Sequence, residues 1–545
     1  MFTYYHCYMP QTWEAQERCG LIDEHAGVRF MEVVTMQEER KFNRLAAEGT
    51  PFYRLMRERR FPMYIDRLQG GIYLENYDYD WSLVNRYRDM LGERFIGFQM
   101  HEWMSNFAND FKRIHECLGD RPWTAQAITD SIFEKYSLPY LWLEAQSAAE
   151  MEQSGDPKTA EEFLRLSEEL FQKRMALCGG QLIPCDSFSL AYQLELRNGA
   201  RYFMPEVGAQ TVDTRVQIAY ARGMARTHGK CFGMYYEPWG GEPFSSCNFH
   251  REGDNEWNIK NDGDWAFSTM GENGGSSRSL QKRAHLYSYF AGADFISEEW
   301  GMSNTFYDWQ DFELTPYGKI KLDFLQLVKK YPRERIGTPY TPLAVVLPKD
   351  LPTVAGLEEE PTLLGYPMSG ERARQVNTVR RGLRALLANP APMVGCETEN
   401  IINSDIPDAI DVIHEDYPTL PTQYDYFVDL TGNPAFAKSH RCCSVEEAPA
   451  LLKELLPCEV EGGVHWFVNR TPSGWLLVMF NNSGVHRSVE KGEYILPEGA
   501  ATVTVRLKNA RELQVLEGTT ALARDGETYH FTLSGGDWWL AAFDA

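Results

Sequence analysis

Eight short apolar runs alternate with amphipathic helical patterns from residue 3 to about residue 300, and several of the runs stop at a carboxylate. That alternation predicts an α/β fold, a (β/α)8 barrel with acidic residues at its C-terminal rim. Two later changes of pattern extend the prediction. A strand, helix, strand stretch from about residue 340 reads as a small doubly wound α/β domain, and short alternating strands from about residue 460 read as a C-terminal β-sandwich. The expected divisions are a barrel over 1–335 with a helical insertion at about 105–180, a flavodoxin-like α/β domain over 340–457, and a sandwich over 460–545.

The first strand is expected over Thr3 to Met9 and the second over Val28 to Val34, with a helix over Glu38 to Arg60 whose Phe42, Leu45 and Ala46 share one face. Strand three, Phe61 to Leu68, ends near Asp66, Arg67 and a Gly-Gly turn. Strand four, Phe95 to Trp103, ends in His101, Glu102 and Trp103. The insertion follows, with helices over Ala125 to Lys135 and Thr159 to Leu177; long rim insertions commonly wall an active site. Strand five, Leu182 to Phe188, carries Asp186, and strand six, Arg201 to Gly208, carries Glu206.

Strand seven is the apolar run that stops at Glu237, Pro238 and Trp239, and a polar loop over 240–275 comes after it. A helix capped by Ser276 or Ser277 leads to strand eight, Asp294 to Trp300, which ends in Glu298, Glu299 and Trp300. A rival count starts at Val28 and uses Leu343 to Leu347 as the eighth strand; the count from Thr3 is preferred. Leu343 follows a Pro-rich connector and opens the second pattern: a helix over Glu371 to Ala388, then strands at Asp411 to His414 and Tyr424 to Leu430. No glycine fingerprint follows its first strand, so support or assembly is its expected role.

At 545 residues the chain exceeds one core. Its 77 acidic and 54 basic side chains give a formal charge of −23, which argues against nucleic acid or an anionic membrane as partner. The first ten residues carry neither a basic nor a long apolar segment, so a cytoplasmic location is expected unless a leader has been removed. The 11 cysteines show no metal-ligand spacing. Asp254, Asn261, Asp262, Gly263 and Asp264 do not match a calcium loop, no nucleophile-elbow or phosphate-cradling motif is present, and no metal or cofactor is expected.

Chemistry is expected at the rim. Pro238 biases Glu237 toward extended backbone, and Tyr235, Tyr236 and Trp239 surround it with aromatic surface suited to a sugar ring. Glu102 and Glu237 end strands nearly opposite across the barrel, so both can face one bond. Hydrolysis of a glycosidic bond needs two such carboxyls, one to protonate the leaving oxygen and one to meet the developing cation. Glu102 is the first candidate for the acid and Glu206 the next, with Glu298, Glu299 and Asp186 behind them. Adjacent Glu298 and Glu299 point to opposite faces if the strand persists, so at most one faces the centre. Asp66 and Arg67 read either as hydroxyl-binding groups or as a structural ion pair, and Trp103, Trp239 and Trp300 read as a stacking wall.

With a Glu ending strand four and a Glu ending strand seven, the chain resembles the superfamily of retaining (β/α)8 glycoside hydrolases. Its order of barrel, α/β domain and β-sandwich resembles family-42 β-galactosidases. The resemblance implies Glu237 as nucleophile and Glu102 as acid/base. The superfamily's acid/base follows an Asn that binds the sugar, whereas His101 precedes Glu102 here and is expected to replace that donor. The implied protein is an exo-acting hydrolase of small oligosaccharides or glycosides, with a carbohydrate substrate and a homo-oligomer supported by the α/β domain. The alternatives are an inverting glycosidase using other rim carboxylates and a non-catalytic glycan-binding barrel.

Overall fold

Eight parallel strands close on one another: Thr3–Tyr8 (β1), Ala26–Met31 (β2), Met63–Asp66 (β3), Phe95–His101 (β4), Leu182–Asp186 (β5), Tyr202–Gly208 (β6), Cys231–Glu237 (β7) and Phe295–Glu298 (β8). The computed structural model describes residues 2–8, 10–31, 41–66, 79–136, 148–186, 189–208, 213–237, 249–250, 258–259, 277–299, 305–306, 310–395, 401–488, 492–509 and 512–544. Each strand pairs with the next in sequence, and β1 closes the ring on β8 through Thr3 opposite Phe295 and Tyr4 opposite Ile296. The barrel therefore starts at Thr3. Leu343–Leu347 belongs to another sheet.

Parallel strands covered on both faces need apolar residues on both, which is why these segments read as near-continuous apolar runs. Alternation sorts them. Tyr5, Tyr64, Ile183, Cys185, Met204, Tyr235 and Phe295 pack together inside the barrel. Val28, Phe30 and Phe98, and on the other side Val207, Met234, Tyr236 and Ile296, join the layers beneath the helices.

Helix starts follow local chemistry. Thr159 caps Ala160–Leu177, its Oγ1 accepting from Glu162 N–H at 3.2 Å, and Ser277 caps Arg278–Phe290 by accepting from Leu280 N–H at 3.0 Å. The helix expected over Glu38 to Arg60 is two pieces, Lys41–Leu45 and Pro51–Arg59. Gly49 at φ 88° lies in the turn between them, and Thr50 caps the second with Pro51 at its first position. No helix among the described residues is long and apolar enough to cross a membrane.

The second sheet has four parallel strands, Leu343–Leu347 (β9), Ile410–His414 (β10), Tyr426–Asp429 (β11) and Cys442–Cys443 (β12), in the order β10-β9-β11-β12. This two-one-three-four order is the doubly wound one. A third unit packs two antiparallel sheets. One holds Thr338–Pro339, His465–Thr471, Gly474–Phe480, Trp538–Asp544 and Leu513–Glu517; the other holds Cys458–Glu461, Ala501–Leu507, Thr528–Leu533 and Ala523–Asp525. Phe531 stacks on Trp539 between the sheets at 4.6 Å.

The barrel, the parallel sheet and the antiparallel unit meet at a buried charge network. Barrel helix Thr214–His228 (α1) lies along edge strand β10, and Gly223 permits the approach, because a Cβ there would fall 2.2 Å from the Val412 carbonyl oxygen. On either side of it, Arg222 reaches Asp411 at 2.6 Å and Asp408 at 3.2 Å, and Arg226 reaches Asp411 at 2.5 Å. Asp408 also accepts from Tyr287 of the barrel helix Arg278–Phe290 (α2) and lies 3.2 Å from Nε2 of His465 in the sandwich. Burial pushes the carboxyls of Asp408 and Asp411 up, but the guanidiniums outweigh it and hold both below the ordinary range.

Removing one partner of a buried pair leaves the other charged and dry, which costs about 3–5 kcal/mol, whereas an exposed i,i+4 pair is worth only tenths. Arg222→Met is accordingly expected to lower the thermal unfolding midpoint markedly. Arg165→Met, which breaks the exposed Arg165–Glu169 pair, should barely move it, and equal shifts in the two variants would contradict the junction's role.

Candidate active site

The inward positions at the C-terminal ends of the strands are Arg29 on β2, Asp66 on β3, His101 on β4, Cys185 on β5, Glu206 on β6, Tyr235 and Glu237 on β7, and Ser297 on β8, with Glu299 one residue beyond β8. Arg29 is fully buried. Its Nη2 donates to Asp66 Oδ2 and to the Tyr235 hydroxyl, both at 2.6 Å, and its Nη1 donates to the Glu298 carbonyl. Asp66 is thus paired with Arg29 from the neighbouring strand. Arg67, its expected partner, lies outside the described residues, as do Trp239, Trp300 and most of the 240–275 loop.

Glu102 follows β4 in a left-handed turn, φ 43° and ψ 38°, and begins the helix Trp103–Leu118. A non-glycine residue in that region carries strain of about 1–3 kcal/mol and persists only where its surroundings impose it. The helix start is fixed from the next strand. Asp186 Oδ2 accepts from the backbone N–H of Met104 at 2.9 Å and of Ser105 at 3.1 Å, while Oδ1 accepts from the Ser105 hydroxyl at 3.0 Å. Asp186 therefore does the capping that Glu102, at the N-cap position, does not. The Glu102 carboxylate is left to the rim, where it accepts from Asn106 Nδ2 at 3.2 Å and lies 3.5 Å from His101 Nε2, about a quarter exposed.

His101 Nε2 is also 3.1 Å from Glu299 Oε1, and the imidazole meets the Tyr235 ring edge-on at 5.5 Å. One nitrogen thus stands between carboxylates from β4 and from the end of β8. Glu206 is buried on β6 with an atom within 4.8 Å of both a His101 nitrogen and the Cys185 sulfur. Burial, and after it the carboxylates of Glu102, Glu299 and Glu237, push the Glu206 carboxyl well above its ordinary range. Glu237 ends β7 opposite Gly208, where a Cβ would come within 2.6 Å of the Glu237 Cβ, so glycine on β6 makes room for it. Tyr236, the next residue back, faces outward and packs against His285.

Glu298 and Glu299 part company across the strand. Glu298 turns outward to the helices, accepting from His285 Nε2 at 2.9 Å and pairing with Lys321 Nζ at 2.6 Å. Burial raises its carboxyl, but Lys321 and His285 together outweigh that and hold it at about 2. Trp103 is packing: its indole is 1% exposed, lies against Phe171 and donates to Glu195 Oε1 at 2.9 Å. It contributes no wall at the mouth because the helix turn carries it inward beneath the rim.

Arg29 and Cys185 were not singled out from the sequence. The usable signal for Arg29 was an arginine in an otherwise apolar strand, two residues after Gly27 and so on the same face. Cys185 offered none beyond its parity with Ile183.

A closed parallel barrel whose C-terminal mouth gathers Glu102, Glu206, Glu237 and Glu299, with His101 between Glu102 and Glu299, defines a (β/α)8 protein with an acidic mouth. The chain matches no family model and no curated protein sequence. Among solved structures it is similar to α-L-fucosidase isoenzyme 2 from Paenibacillus thiaminolyticus (9% identity over 100% of this chain and 99% of that one, TM-score 0.46). It is also similar to a catalytic mutant of a GH42 β-galactosidase from G. stearothermophilus (8% identity, 99% and 94% covered, TM-score 0.44). A third similar structure is the apo exo-carrageenase GH42 from Bacteroides ovatus (10% identity, 100% and 82% covered, TM-score 0.43).

The Glu298–Lys321 pair has a pH signature. A carboxyl held at about 2 in the fold and near 4.5 when unfolded contributes stability that is complete above pH 4.5 and is lost as pH falls toward 2. The gap in thermal midpoint between wild type and Lys321→Met should therefore be widest above pH 4.5 and narrow as the solution is acidified; a gap independent of pH would contradict the assignment.

Proposed function

We propose that the protein is a retaining glycoside hydrolase acting on the ends of small oligosaccharides or glycosides, with Glu237 as nucleophile and Glu102 as acid/base. The observation that carries this reading is the meeting of carboxylates from several strand ends at one barrel mouth, where His101 lies 3.5 Å from Glu102 and 3.1 Å from Glu299. Carboxyls facing a common space supply the proton donor and the nucleophile that glycoside cleavage requires.

In the proposed reaction Glu237 attacks the anomeric carbon while Glu102 gives its proton to the leaving oxygen. Glu102 then takes a proton from water, which displaces the sugar from Glu237. The left-handed turn and the cap by Asp186 hold Glu102 at the mouth, and His101 and Asn106 orient it. His101, Glu299 and the inward Tyr235 remain for hydroxyl recognition, whereas Asp66, Asp186 and Trp103 serve the frame in this reading. A cytoplasmic setting, a division into three domains at the boundaries given above, and a homo-oligomer built through the α/β domain are part of the same proposal.

A panel of aryl glycosides tests it. Glu237→Gln should abolish turnover on every member. Glu102→Ala should lose about 10²–10⁴-fold on unactivated glycosides, keep part of its rate on nitrophenyl glycosides and gain from added azide, yielding a glycosyl azide of retained configuration. Saturable sugar binding without turnover by the wild type would point to a glycan-binding barrel instead, and full activity of Glu102→Ala on a natural glycoside would move the acid to another rim carboxylate.

A further inference from the structure

Inward side chains from three adjacent strands converge on one wall of the barrel mouth. His101 on β4, Cys185 on β5 and Glu206 on β6 are all buried, and one donor atom from each lies within 4.8 Å of the other two. Glu206 is 1% exposed, and among the described residues its Oε2 has no hydrogen-bond partner. A carboxyl withdrawn from water stays neutral unless a donor or a cation stands beside it. Arg29, the buried cation on β2, has its guanidinium engaged by Asp66, Tyr235 and the Glu298 carbonyl.

An imidazole, a thiol and a carboxylate on one wall form a donor set suited to zinc. Magnesium and calcium take oxygen ligands and do not select sulfur, whereas zinc accepts all three types. With zinc bonds of about 2.0–2.3 Å, tetrahedral ligand atoms stand about 3.3–3.8 Å apart, so the trio needs to draw in by about 1 Å. Gln99 Nε2 lies 3.4 Å from His101 Nδ1, and Glu299 lies 3.1 Å from Nε2. Whichever ring nitrogen turns to the zinc, the other keeps one of these two groups as the outer partner that orients a ligating histidine.

We propose that His101, Cys185 and Glu206 form a three-ligand zinc site in the barrel mouth. Binding converts the Cys185 thiol to thiolate with release of its proton, and three protein ligands leave a fourth position for water or a hydroxyl. The cation offsets part of the carboxylate charge gathered there. The site rests on the lumen geometry and not on the glycosidase reading.

The test is metal uptake by the full chain, stripped with a chelator, freed of any affinity tag and titrated with zinc chloride while bound metal is counted by mass spectrometry. One zinc per chain is expected. Cys185→Ser and Glu206→Gln, with folding verified by circular dichroism, should each weaken uptake by more than about tenfold. Cobalt(II) in place of zinc should produce a thiolate charge-transfer band in the wild type, which decides the matter should Cys185→Ser fail to fold. Folded wild type that takes up no zinc, uptake unchanged in both variants, or a cobalt complex without the thiolate band would each overturn the proposal. No activity enters the measurement, so its failure leaves the glycosidase reading standing.

Discussion

The guanidinium of Arg29 is the point on which the barrel mouth depends. It is fully buried, rises from β2, and bonds Asp66 on β3, the Tyr235 hydroxyl on β7 and the Glu298 carbonyl on β8. One planar donor fork thus spans the lumen on both sides of the seam where β1 closes on β8. A buried arginine is tolerable only when its donors are matched, and the matching fixes the relative heights of the strands that supply the acceptors. Tyr235 is held by that contact, and His101 packs edge-on against Tyr235. The imidazole between Glu102 and Glu299 therefore takes its place from a cation on the far side of one tyrosine.

The two faces of β8 show how one strand can serve two purposes. Glu298 is clamped outward between His285 and Lys321 and is kept ionised by them, which ties the strand to its helices. Glu299 turns to the lumen and meets His101. The acidic residues of the mouth divide likewise: Asp66 and Asp186 are committed to Arg29 and to a helix start, while Glu102, Glu206, Glu237 and Glu299 face one another across the mouth.

The barrel was legible because doubly covered parallel strands must be apolar and because several of them stop abruptly at a rim carboxylate. The opposed directions of Glu298 and Glu299 follow from the two-residue period alone. What the chain did not reveal is lateral. Asp66 takes a partner, Arg29, from the strand beside it, and Asp186 caps a helix that begins after β4. Such contacts depend on how neighbouring strands are staggered, a quantity that no local pattern encodes. Trp103 was misplaced for a related reason: the left-handed turn at Glu102 redirects the chain, so the tryptophan enters the core and not the mouth. The trio of His101, Cys185 and Glu206 is similarly assembled from three strands, with no spacing in the sequence to announce it.

The contact between α1 and β10 bears on how copies of this chain could associate. A sheet grows by adding a strand to an exposed border, and helix α1 already occupies one border of the four-stranded sheet, seated on the Val412 backbone through Gly223. The opposite border is β12, only Cys442–Cys443, too short a template to recruit a partner strand. Self-association through this region is thereby steered away from open-ended strand stacking and toward contacts between side-chain surfaces, which can close into a finite, symmetric assembly.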